Sequence, residues 1–269
     1  MRLTRKADID AIGEGARQFG EWLAAKKKEL APADFDWYPY GTLDGFYLFT
    51  KLLQGKSRKL FDLIGDGRFV DIGAADGDTS YFLESCGFRG LAIDYAPTNY
   101  NGCRGLHLLH GALKSAIEIQ ELDLDHTAWQ PGEQYSLAFF LGILYHLKNP
   151  FLALESLARN CRYALLGTRI ARYNVARDAA GTRGAINTTR VELRGVPAAY
   201  LVAPDETNND PTNYWIFSEA GLRRILDRSG WDVVNWMTWG NTVESDPSTA
   251  EGDERAFALL RSRYLGPAG

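Results

Sequence analysis

Three aspartates stand at the ends of three apolar runs. Asp71 lies in "RFVDIG" and is followed by the small residues Gly73, Ala74 and Gly77. Asp94 closes "RGLAIDY", and Asp123 lies near the end of "SAIEIQELDL". Carboxylates at successive strand ends can accept hydrogen bonds from hydroxyl, amine or ammonium groups, and small residues let a ligand lie against the backbone. The spacing Gly73-Ala74-Ala75-Asp76-Gly77 is G-x-x-x-G, which is not the G-x-G-x-x-G of dinucleotide folds, and no Gly-Lys-Ser/Thr follows as in a P-loop. Asp71, Asp76 and Asp78 would also face a pyrophosphate, and like charges in contact cost on the order of several kcal/mol in a shielded site. The pattern disfavours phosphate and selects a cationic, phosphate-free nucleoside.

S-adenosylmethionine, with an ammonium, a carboxylate and a sulfonium, has that chemistry. Asp71 would then orient amides or reach the ammonium. Asp94, with Tyr95 beside it, would accept from the ribose hydroxyls. Asp123, next to Leu124, would accept from the adenine amino group, with Glu121 and Asp125 competing for that role. Of Asp76 and Asp78, one reads as solvent-facing and the other as a helix cap. In "FFLGILYHLKNP", Leu141 and Gly142 end a fourth run beside the expected donor methyl, or are plain core. Tyr145 and His146 follow them. Methyl transfer from a sulfonium depends first on positioning. A base with a pKa near 7 helps where the acceptor must lose a proton, and His146 is the candidate base, with Tyr145 a candidate partner or wall. Asn213 and Trp215 could touch substrate or close a hydrophobic staple before Ser218. Trp37, Tyr38 and Tyr40 could roof the site or pack between helices. No metal is expected: Cys103, His107 and His110 form C-x3-H-x2-H, but no fourth ligand lies nearby.

The elements that must carry these residues follow from periodicity. Residues 5–30 read as an amphipathic helix ending in the solvated triplet Lys26–Lys28. After an aromatic loop broken by Pro39, Gly41 and Gly45, a second helix is expected over about 46–64. From residue 68, nearly unbroken apolar strands alternate with helices, which indicates a parallel sheet covered on both faces. Two more strands, "WDVVNWMTW" and "RAFALLRSRYL", close the chain. Residues 171–213, polar and rich in Gly and Arg, break the alternation and read as an insertion over the C-terminal edge of the sheet, a substrate lid. The division expected is an N-terminal helical extension, 1–66, and a ligand-binding domain, 67–269. Net charge is −4, split as +2 over residues 1–68 and −6 over the rest, so strong phosphate-driven binding is not indicated. The three cysteines have no CxxC pairing, and with no long apolar run the reading is a cytoplasmic protein without a membrane span.

The run Asp71-Ile72-Gly73-Ala74-Ala75-Asp76-Gly77, with Asp94 and Asp123 following, resembles the class I S-adenosylmethionine-dependent methyltransferases over about residues 65–265, with Ala75 where many members carry Gly. The resemblance implies a doubly wound, mostly parallel, seven-stranded Rossmann-like α/β sheet and S-adenosylmethionine as cofactor. "FFLGILYHLKNP" and "TNYWIFSEAGLRRILDRSGW" are further similar to the subgroup of tRNA wobble-uridine carboxymethyltransferases. There the Tyr, here Tyr145, helps hold the carboxylate of a carboxylated donor, together with a Lys and an Arg. In place of the Arg-rich stretch, "NWMTWGNTVESDPSTAEGDERAF" offers acidic and small residues, so ordinary S-adenosylmethionine and a small organic acceptor, methylated on oxygen or nitrogen, are expected ahead of tRNA. A cofactor-binding module without catalysis remains as a third reading.

Overall fold

The computed structural model describes residues 3–175, 190–207, 209–240 and 253–266. The chain opens with α1 (Ile9–Leu30), capped by the Asp8 side chain, which accepts from the Asp10 amide. The helix expected over 46–64 is broken into α2 (Gly45–Leu52), one 3-10 turn (Gly55–Arg58) and α3 (Leu60–Ile64). The break begins at Leu53 and Gln54, both extended (ψ 130° and 156°), and continues at Gly55 with φ 56°.

Alternation then begins as read, with β1 (Arg68–Ile72), α4 (Asp78–Ser85), β2 (Arg89–Asp94), α5 (Arg104–Leu113), β3 (Glu118–Glu121), β4 (Tyr135–Leu141), α6 (Pro150–Asn160) and β5 (Cys161–Ala171). β4 stops at Leu141, where Gly142 turns the chain at φ 75° toward a 3-10 turn over Leu144–His146. Parts of the expected insertion form strands: β6 (Tyr173–Val175) and β7 (Arg190–Glu192) make a two-stranded ribbon, while β8 (Ala199–Leu201) pairs with β9 (Trp215–Ser218). β9 continues beside the end of β5. Residues 176–189 and 208 of this segment lie outside the described residues. After α7 (Glu219–Arg228), the long strands β10 (Trp231–Gly240) and β11 (Glu254–Ser262) finish the fold.

The main sheet has the order β10-β11-β5-β4-β1-β2-β3, with β8 and β9 joined at β5. β1 through β5 are mutually parallel, and β11 runs antiparallel to both β5 and β10. Helices cover both faces. On one, α1 to α5 bury Ile12, Phe46, Leu60, Phe82 and Leu106 against Phe69, Phe139 and Leu165. On the other, Leu154 and Leu157 of α6 and Leu222 and Ile225 of α7 meet Val70, Ile72, Phe140 and Leu166. The chain runs outward from β1 through β2 and β3 and returns on the far side at β4. Such a reversal leaves a crevice at the carboxyl ends of β1 and β4, where open α/β sheets hold ligands. Among the described residues no helix is long and apolar enough to cross a membrane.

Candidate active site

At the carboxyl end of β1 the chain turns through Gly73 (φ 69°), Ala75 (φ 53°) and Gly77 (φ 86°) into α4. A Cβ on Gly73 would lie 2.0 Å from the Ile143 side chain, so this turn is built for glycine. The acidic residues of the turn are arranged differently from the sequence reading. Asp76 is not solvent-facing: it is 2% exposed, and Oδ2 accepts from the Tyr38 amide at 2.9 Å and from Lys27 Nζ at 3.0 Å, while Oδ1 accepts from Asn101 Nδ2 at 2.8 Å. Asp78 is the first residue of α4 rather than its cap, and pairs with the same Lys27 at 2.8 Å. Lys27 is therefore no solvated helix end; its side chain is 14% exposed and lies 5.3 Å from the centre of the Trp37 ring. Two carboxylates that the sequence reading set against phosphate thus share one cation from α1.

Asp71 is enclosed under α4 and accepts a 2.9 Å hydrogen bond from Ser80 Oγ. Burial, with Asp94 and Asp78 adding to it, pushes its carboxyl up to about 7 against the Ser80 bond. Asp94, half-buried at the end of β2, accepts from the Ala75 amide and the Tyr95 amide, both at 2.7 Å. Burial raises its pKa despite these bonds. Asp123 lies two residues past the end of β3, where it accepts from the Asp125 amide at 2.9 Å and contacts His126 Nδ1 at 2.7 Å. Burial opposes these bonds, but they hold its pKa below the usual value. Leu124 is buried in the core beneath, and Ala74 is buried with its carbonyl accepting from Gly77.

At the end of β4 a second cluster forms. Gly142 sits under the Tyr145 hydroxyl, which would be 3.5 Å from a Cβ placed there. The Tyr145 and His146 rings are 4.4 Å apart, centre to centre. His146 Nδ1 is 3.1 Å from the Thr212 carbonyl oxygen and 3.0 Å from Thr212 Oγ1. Thr212 Oγ1 donates to Asp210 Oδ1 at 2.5 Å. A carbonyl only accepts, and the threonine proton is committed to Asp210, so Nδ1 must be the donor. The neutral imidazole then carries its lone pair on Nε2. Burial holds the His146 pKa below its ordinary 6.5, against the Thr212 bond and Asp210. Beside this pair, Arg169 on β5 and Arg255 on β11 are direct cross-strand partners, and Arg255 lies near the Tyr145 side chain.

The remaining site candidates are dispersed. Trp37 donates its indole N–H to the Lys27 carbonyl at 3.0 Å, which ties it to α1. Tyr40 is 69% exposed and meets Tyr38 edge-on. Asn213 is buried, with Nδ2 donating to the Thr207 carbonyl at 3.0 Å. Trp215 lines a different cleft of about 660 Å³ with Lys148, Phe151 and Phe217, across β9. Leu141 is half-buried and packs on the core face of α1 and α2. Sequence reasoning did not single out Lys27, Arg169, Asp210, Thr212 or Arg255. For Arg169 a signal existed, since a cation interrupts the apolar strand "RYALLGTRI". For Asp210 and Thr212 none did, because their partner His146 is more than 60 residues away.

The family described as Methyltransferase domain matches residues 46–235. Among solved structures, the N-terminal domain of EvdMO1 with SAH (S-adenosylhomocysteine) bound is similar at TM-score 0.51 and 16% identity, covering 90% of this chain and 96% of that one. The same domain in the presence of SAH and D-fucose gives 0.51 and 17%, covering 90% and 97%. An S-adenosylmethionine-dependent methyltransferase from Mesorhizobium loti gives 0.51 and 15%, covering 81% and 97%. No curated protein matches the chain.

Proposed function

The chain belongs to the methyltransferase-domain family, and from that premise we propose that it moves a methyl group from S-adenosylmethionine to an oxygen or nitrogen of a small organic acceptor, with His146 as the base. The residues present suit this cofactor. Gly73 and Gly77 let the turn run close against Ile143, Leu106 and Tyr81 at the carboxyl end of β1, and the carboxylates of Asp71 and Asp94 have no cationic side chain paired to them among the described residues. A ligand bearing positive charge supplies what both lack; a phosphate would not. Asp71 would lie toward the methionyl end, Asp94 and Tyr95 toward the ribose, Asp123 and Leu124 toward the adenine, and Leu141 and Gly142 beside the methyl. When bound, the cofactor supplies an electrophilic methyl on a sulfonium.

The observation that carries the catalytic reading is the chain Asp210–Thr212–His146. It fixes the imidazole tautomer and leaves Nε2 to take the proton from the acceptor O–H or N–H as the new bond to carbon forms. The low pKa keeps His146 neutral, and so ready to accept, at pH 7. Tyr145, whose ring lies tilted against the imidazole, helps to hold it in place. Trp37, Tyr38 and Tyr40 would roof the site, and Asn213 and Trp215 would border the acceptor. A net charge of −4 favours a small acceptor over a polyanion such as tRNA.

Titration calorimetry with SAH and turnover of S-adenosylmethionine with the small-molecule fraction of a cell extract test the two halves. Asp94→Ala should weaken SAH at least about tenfold, as expected for lost hydrogen bonds to a charged acceptor. His146→Asn should leave SAH affinity intact and slow turnover roughly 100-fold or more. Unchanged SAH binding in Asp94→Ala would sink the cofactor placement, and undiminished turnover in His146→Asn would sink the base.

A further inference from the structure

Arg169 and Arg255 face each other across β5 and β11, on the sheet face that α1 and α2 cover. Like charges opposite one another in a sheet repel, by an amount that grows with burial. Burial is uneven: Arg169 is 4% exposed, whereas the Arg255 side chain is 39% exposed, and burial together with Arg255 lowers the pKa of Arg169 while Asp253 and Tyr145 oppose that. One carboxylate bridges the pair, Asp253, whose oxygens lie 2.9 Å from Arg169 Nε and 3.2 Å from Arg255 Nε. It is 42% exposed and contacts both guanidiniums through Nε. Among the described residues this leaves two guanidiniums against one carboxylate, a net charge of +1. No hydrogen bond partner for the Nη groups of Arg169 occurs among them either. A buried guanidinium beside a partly exposed one, held this way, can receive an anion that reaches it from solvent.

Its position says which reactant brings the anion. The pair lies on β5 and β11, beyond β4, whereas the carboxylates that suit the donor lie on β1 and β2. Arg255 lies near Tyr145, whose hydroxyl overhangs Gly142 at the end of β4. Flat surfaces border it: Trp239 is the cross-strand partner of Arg255 on β10, and Tyr38 is close enough for Arg255 to act on its hydroxyl. Resting on the methyl-transfer reading, we propose that Arg169 and Arg255, with Tyr145, bind a carboxylate of the acceptor, so that the acceptor is a flat, monoanionic carboxylic acid methylated at another oxygen or nitrogen. A monoanion balances the net +1; a dianionic phosphate would exceed it.

Benzoate is the probe, titrated into the full-length protein with and without saturating SAH. It should bind the SAH-loaded protein, and neutral benzamide and inorganic phosphate should each bind at least about tenfold more weakly. Arg255→Gln should weaken benzoate at least about tenfold and leave SAH affinity within about twofold, while Arg255→Lys keeps the charge and recovers part of the loss. Asp253→Asn, at a partly exposed position, should tighten benzoate by removing the competing carboxylate. Failure of SAH to bind speaks against the methyl-transfer reading, and the titrations without SAH still test the anion site. Benzoate binding that ignores Arg255→Gln and Asp253→Asn, or phosphate binding as tightly as benzoate, would overturn the proposal. So would an equal loss of SAH in Arg255→Gln, which would place the guanidiniums at the donor.

Discussion

Asp71 is enclosed without a cation among the described residues, and its proton responds to pH. In the unfolded chain it titrates near the ordinary 3.8, and in the fold at about 7. Between those values the folded protein holds a proton that the unfolded chain has lost, so stability falls as pH rises. The contribution of a neutral Asp71 is complete below about pH 4 and gone above about pH 7. Asp71→Asn keeps a neutral group of the same shape beside Ser80 and should reduce the decline in urea-unfolding free energy between pH 4 and 7; an unchanged slope would refute the assignment. The strand-end positions of Asp71 and Asp94 were legible because an apolar run followed by small residues reports where a parallel strand stops. The environments of Asp76 and Asp78 were not, since a sequence window shows charge but not the partner that a helix 49 residues upstream brings.

That helix makes α1 part of the site's support. Lys27, in its last turn, joins Asp76 and Asp78, and Asp76 also holds the Tyr38 amide and Asn101. α1, the aromatic loop, α5 and the glycine turn therefore meet at one buried carboxylate. Lys27→Met would leave Asp76 and Asp78 buried without their cation, a loss of about 3 kcal/mol by the cost of breaking a buried pair. Pairing it with Asp76→Asn should recover part of that loss in a double-mutant cycle. A measured loss under about 1 kcal/mol, or strict additivity, would show that the pair does not hold the elements together. Amphipathic periodicity revealed α1 and its buried face, with Ile9, Ile12 and Leu23 inside, yet Lys27 read as solvated because periodicity assigns a face and not a neighbour. The same limit explains the break between α2 and α3 over residues 53–55, where the apolar spacing of "LFTKLL" and "KLFDLI" suggested one helix.

Across the whole molecule, the reversal of strand order between β1 and β4 leaves one crevice with the proposed donor residues on one side and the proposed acceptor residues on the other, and the helices of residues 9–64 cover the face beneath it. The sequence suggested a helical extension ending near residue 66, and the family match begins at residue 46, inside α2. Packing gives a physical reason to treat the extension and the sheet as one unit. Ile9, Ile12, Phe46, Phe49 and Leu60 share a single buried cluster with Phe69, Phe139, Leu165 and Leu259. On this face the extension and the sheet cover each other's apolar side chains, so separating them would expose both. Urea unfolding followed by far-ultraviolet circular dichroism and by tryptophan fluorescence should therefore give one transition with the same midpoint for both signals. A chain lacking residues 1–38 should bind a hydrophobic dye and lose the cooperative transition. Two separated transitions, or a truncated chain that still unfolds cooperatively and binds SAH with full affinity, would show that residues 1–66 are an appendage to an independently stable domain.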